Sequence, residues 1–110
     1  MKKVILIFML FAFPAHAQIM QDNKTEAIKF GATSGKIAGS AYYCQVDEED
    51  LDVFISLSQG KIISSSVDKA DRIVGHLEFS NNYSFWAVEA PEEGCEKFVR
   101  DFYHSYQDLF

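Results

Sequence analysis

Two cysteines, two histidines beyond residue 17, a glycine–lysine segment and an acidic run are the residues here whose types could do chemistry. Cys44 and Cys95 lie about fifty residues apart, without the C-x-x-C spacing that depresses a thiol pKa, so the pattern predicts a disulfide and not a redox centre. His76 and His104 have no second histidine or cysteine at ligand spacing, which argues against zinc. Gly31 to Ile37, GATSGKI, resembles a phosphate loop only in part. That loop needs four residues between its glycines and a hydroxyl after the lysine. Here three intervene and Ile37 holds the hydroxyl position. Asp47 to Asp52, DEEDLD, lacks the central glycine of a helix-loop-helix calcium site. Sixteen acids single out no carboxylate pair, and no serine sits in a nucleophile-elbow pattern. The residues therefore point to no cofactor, no metal and no catalytic group. The enzymatic alternative is a small envelope hydrolase with a serine or carboxylate pair near His76 or His104. A chain this short has little room to frame a deep catalytic pocket.

The elements that position these residues follow from the ends inward. Lys2 and Lys3 precede an unbroken apolar run, Val4 to Phe13. Pro14 then breaks the run, and Ala15-His16-Ala17 has the small residues of a signal-peptidase site. Residues 1–17 read as a signal peptide, since ten apolar residues are too few to span a bilayer. The remainder, 18–110, reads as a single domain. The expectation is a periplasmic or secreted protein with no stable membrane insertion after cleavage. Export makes Cys44–Cys95 a structural disulfide, and closing that loop stabilises by about 4 kcal/mol in the chain-entropy account. The chain has 10 basic and 16 acidic residues for a net charge of −6, and the leader takes two lysines with it. That balance argues against nucleic acid or anionic lipid and suits a basic protein partner.

After a polar arm, a helix is expected over about Thr25 to Tyr43, with Thr25 as its cap. Gly31, Gly35 and Gly39 recur every fourth residue, so they form one stripe nearly bare of side chains. Interior glycines cost about 1 kcal/mol each against alanine, which calls for a close neighbour as the offset. The stripe is expected to pack a second helix or to stand open as a groove for a partner. Asp47 to Asp50 opens a second helix, about Glu48 to Ser64, with Leu51, Phe54, Ile55 and Ile62 on one face. Val53 and Leu57 lie on other sides and suggest wide burial. Asp68 caps a third helix with Ile73, Val74 and Leu77 on one side, broken near Asn81-Asn82. Tyr83 to Val88 fits either a further helical turn or a short strand. Pro91 is expected to begin a fourth helix, in which Cys95, Phe98, Val99, Phe102 and Tyr106 form an amphipathic stripe.

The fold class is accordingly all-α: a small up-down bundle of about four helices with one disulfide, or α+β if residues 83–88 form a strand. The aromatics Phe98, Phe102 or Tyr106 are expected to fill the groove at Gly31 or Gly35. Tyr83, Phe85, Trp86, Tyr103 and Phe110 are hard to bury together in so small a bundle and are the candidate partner-binding aromatics.

In size, export and paired cysteines the plan resembles small periplasmic helical proteins with a single disulfide. Acid-stress chaperones, toxin-immunity proteins and accessory proteins of secretion or conjugation systems share that plan. The resemblance implies an interaction module that binds another protein, with a structural component of an envelope complex as an alternative. It carries over no site residue.

Overall fold

The computed structural model describes residues 25–110. The signal-peptide reading of residues 1–17 and the arm at 18–24 lie outside it. The fold is all-α: α1 (Glu26–Tyr43), α2 (Glu48–Ser64), α3 (Lys69–Trp86) and α4 (Cys95–His104), followed by a 3-10 turn, Tyr106–Leu109. Tyr83 to Trp86 complete α3, so no strand forms among the described residues.

Side chains set most of the helix starts. The Thr25 hydroxyl accepts from the Ile28 amide at 3.4 Å. Asp47 accepts from Glu49 at 3.1 Å and Asp68 from Ala70 at 2.9 Å. Each satisfies a donor that the first helical turn leaves open. Glu48, Glu49 and Asp50 add negative charge where the helix dipole is positive. α1 ends in a Schellman motif: the Val46 amide donates to Ala41 O at 3.0 Å and the Gln45 amide to Tyr42 O at 3.1 Å. Gln45 takes the left-handed conformation this requires, at φ 62°. The turn leaves Cys44 beside the start of α4, where Cys95 meets it with an S–S distance of 2.12 Å.

α1 is the axis of the bundle. Its glycine stripe meets the backbone of α3. A Cβ at Gly31 would collide with the Gly75 carbonyl, and one at Gly35 with the Phe79 backbone. One at Gly39 would come within 2.6 Å of the Tyr83 carbonyl, and from the other side one at Gly75 within 2.7 Å of the Ala27 carbonyl. Residue numbers rise together along the two helices, so α1 and α3 run parallel. α2 returns between them in sequence. The disulfide joins the end of α1 to the start of α4, so those two are antiparallel and the order is up-down-up-down.

This arrangement corrects several expectations. The groove is filled by α3 and not by the aromatics of α4, so it is not an open partner groove. The register that brings Gly75, Phe79 and Tyr83 to α1 turns Ile73, Val74 and Leu77 outward, where all three are exposed. α3 also continues through Asn81-Asn82, with the Asn82 amide group donating to the Glu78 carbonyl at 2.9 Å. α4 begins at Cys95 and not at Pro91. Residues 91–94 form a turn closed by the Gly94 amide on Pro91 O at 3.0 Å, with Gly94 at φ 90°. Helical φ cannot pass through that residue, so the first turn moves four positions on.

Aromatic residues of α2 and α4 supply much of the core. Phe98 and Phe102 of α4 are buried with Phe54 of α2, and the Phe54 and Phe102 rings are 5.3 Å apart. Leu51, Ser58 and Ile62 complete the inner face of α2. The buried Ser34 and Ser58 hydroxyls donate to Phe30 O and Phe54 O one turn back, at 2.7 and 2.8 Å. No buried side-chain polar atom among the described residues is left without a partner.

The two kinds of helical glycine should respond oppositely to alanine. Gly35→Ala drives a Cβ into backbone that cannot move aside and should cost about 3 kcal/mol or more. At Gly60 of α2 nothing lies within 4 Å of the added carbon, so Gly60→Ala should stabilise by up to about 1 kcal/mol. Urea unfolding of the two variants checks both signs. Removing the disulfide, which closes a span of 51 residues, should cost about 4 kcal/mol, read as the shift in unfolding midpoint on reduction.

Candidate functional site

The five aromatics expected at a partner surface fall into two groups. At the end of α3, Tyr83 stacks on Phe79 with ring centroids 6.2 Å apart. Trp86 is half-buried with the Lys36 ammonium 4.5 Å from its ring centre. Phe85 stands exposed, edge-on to Trp86. Two of these three are therefore packed by their own helix or by α1. Tyr103 and Phe110 belong elsewhere, beside α2.

The solvent side of α2 is the more distinctive surface. From Val53 to Ser64 it presents Val53, Ser56, Leu57, Gly60, Ile63 and Ser64, all exposed and none charged. Val53 is 54% exposed, Leu57 49% and Ile63 56%. The expected wide burial of α2 is thus corrected: one face is inside and the apolar residues of the other are outside. The charged residue within this interval, Lys61, turns off the face. Its ammonium donates to the Leu109 carbonyl and lies 4.9 Å from the centre of the Phe30 ring. Ser56, Gly60 and Ser64 repeat the four-residue spacing of the α1 glycines, and the space over Gly60 is open.

A groove of 330 Å³ runs along one edge of this face, between α2 and α4. Its floor is Phe54 and Phe102. Val53, Leu57, Tyr103 and Phe110 form the walls. Phe110 is set edge-on to Phe54 at 5.4 Å and to Phe30 at 6.0 Å. Asp50 supplies the groove's one charged lining group, and its carboxylate accepts from the Tyr103 hydroxyl at 2.7 Å. That hydrogen bond raises the Tyr103 phenol above its ordinary pKa, with burial and the charge of Asp50 adding to the effect. A separate hollow of 260 Å³ beside α1 is different in kind, with Lys36 facing Glu92 and Glu93.

The groups considered for catalysis are not gathered here. His76 is half-buried on α3 and His104 is exposed at the end of α4. Neither lines the groove. Among the described residues no three His, Cys, Asp or Glu side chains come together to hold a metal ion, and no helix is long and apolar enough to cross a membrane. Sequence reasoning misses the α2 face because apolar residues on several sides, Val53 and Leu57 among them, suggest wide burial. The available signal was the absence of charge from Val53 to Gly60 in a chain rich in acids. Compared with known proteins, the chain matches no family model, no curated sequence and no solved structure.

The bond from Tyr103 to Asp50 ties α4 to α2 and has a definite pH sign. The folded-state pKa is raised, so the stabilisation is fully present below the ordinary tyrosine value of about 10 and is lost as pH rises through the folded value. The stability gap between the wild type and Tyr103→Phe, measured by urea unfolding, should therefore be unchanged between pH 6 and 9 and close above that range.

Proposed function

We propose that this protein is an exported interaction module that binds another protein through the outward face of α2 and performs no chemistry itself. The observation that carries the reading is the half-exposed outward face of α2 from Val53 to Ser64, which bears no charged residue because Lys61 turns off it. Protein interfaces are depleted of charge at their centres, and an isolated acidic domain has no need of such a face. The open space over Gly60 supports it, because an interior helical glycine is otherwise a cost without an offset.

Export to the periplasm is supported by the leader-like residues 1–17 and by the disulfide, which persists in an oxidising compartment. Accessory, immunity and chaperone-like roles all lie within this reading and share its one requirement, a protein partner. Native crosslinking in the periplasm followed by purification should recover a stoichiometric partner. The yield should fall at least tenfold for Leu57→Glu, which places a charge on the face without touching the core. Recovery of monomer alone from wild type would overturn the reading.

A further inference from the structure

We propose that the groove between α2 and α4 is the docking site for a cationic amphipathic helix of another protein. That helix inserts one bulky aliphatic or aromatic side chain between Leu57 and Phe110 and sets lysine or arginine against Asp50. The inference deepens the interaction reading by giving the partner a chemistry, and it rests on that reading.

The apolar half of the argument is the groove itself. Phe54 and Phe102 are buried beneath it, while Val53, Leu57, Tyr103 and Phe110 stand 54%, 49%, 37% and 42% exposed around it. Large side chains arranged in this way leave a ready-made apolar slot, and an anchor residue entering it gains most of its burial from walls already in place. The neighbouring α2 face, with Ser56, Gly60 and Ser64 in line, lets a second helix axis come close, so the visiting segment is helical and not extended.

Charge selects the partner. Among the described residues Asp50 is the one ionised group of the lining, and Tyr103 donates a hydrogen bond to it. A carboxylate has about four acceptor positions, so most of its capacity faces outward. Asp47, Glu48 and Glu49 precede it in the same turn or cap and are exposed. They lie within one or two helical turns, close to the screening length of about 8 Å at physiological salt. The nearby cations do not neutralise this edge. Lys61 keeps its charge but holds it against Leu109 and Phe30, about three helical turns along α2 from Asp50, and Lys97 pairs with Asp101 at 2.9 Å. Arg100 stands on α4, three residues before Tyr103. The partner's cations are therefore directed to the α2 side of the slot. A second copy of this chain would bring another acidic edge to the same place, which disfavours self-association.

The test uses the purified, disulfide-bonded protein and two synthetic helical peptides of 18 residues. The peptides share one leucine stripe and carry lysine in one and glutamate in the other as their only charged type. In amide NMR titrations the lysine peptide should shift residues 50–57 and 102–110, with affinity falling as salt rises, and the glutamate peptide should shift nothing. Leu57→Glu separates the slot from plain charge attraction. It adds negative charge, so mere attraction would strengthen, whereas docking in the slot should weaken at least tenfold. Circular dichroism of the variant verifies its fold, and Leu57→Ser, which adds no charge, should weaken binding in the same direction. Equal binding of both peptides, no binding of either, tighter binding by Leu57→Glu, or self-association in place of peptide binding overturns the proposal. Shifts confined to the exposed face of α3 overturn the groove while leaving the interaction reading intact.

Discussion

The contact between the backbones of α1 and α3 governs this structure. Ala27, Gly31 and Gly39 meet Gly75 and Tyr83 at distances that leave no room for a further carbon. The same geometry holds where Gly35 meets Phe79. Close approach multiplies weak dispersion contacts along two helices, each contact small and the sum large. It also fixes the register of α3 within a single turn, because sliding the helix would bring a side chain where only a glycine fits. One helix is thus held by what its neighbour lacks.

That constraint distributes the remaining residues. With Gly75, Phe79 and Tyr83 committed to α1, the apolar Ile73, Val74 and Leu77 have nowhere to go but outward. Phe79 enters the core from the seam, and Phe54, Phe98 and Phe102 join it from α2 and α4 in one cluster. The disulfide then pins α4 to the end of α1, and the Lys61–Leu109 hydrogen bond holds the final turn against α2. α2 faces inward with Leu51, Phe54, Ser58 and Ile62, and its opposite face has no neighbour among the described residues. The candidate site is therefore the part of α2 that the packed core does not use.

The parts of this plan legible in the sequence are those with a local physical cause. Acids at Asp47 to Asp50 announce a helix start because the positive end of the helix dipole favours them there. Cys44 and Cys95 announce that the end of α1 meets the start of α4, and it does. The four-residue recurrence of Gly31, Gly35 and Gly39 announces a close neighbour. It does not say which neighbour, because a bare stripe has no chemistry of its own to match. The decisive residue, Gly75, is a lone glycine in a helix whose aliphatic residues point to a different face. Ile73, Val74 and Leu77 obey the periodicity of a buried stripe, and periodicity cannot tell an inner stripe from an outer one. Pro91 misleads for a similar reason. It suits a helix start, but the left-handed Gly94 just beyond it is a tertiary choice that brings Cys95 to Cys44.

Gly60 shows how the same residue carries two meanings. At Gly31 and Gly35 the missing carbon is explained within the chain, since the neighbouring backbone occupies its place. At Gly60 that space is empty, and so is the strip that Ser56 and Ser64 continue above and below it. An alanine there would strengthen the isolated helix, so folding alone gives no reason for glycine. Val53, Leu57 and Ile63 flank the strip at about half exposure, and the cation of that stretch is drawn away to Leu109. Small residues down the middle are also what α1 offers to α3. α2 carries a small-residue strip of its own and turns it outward.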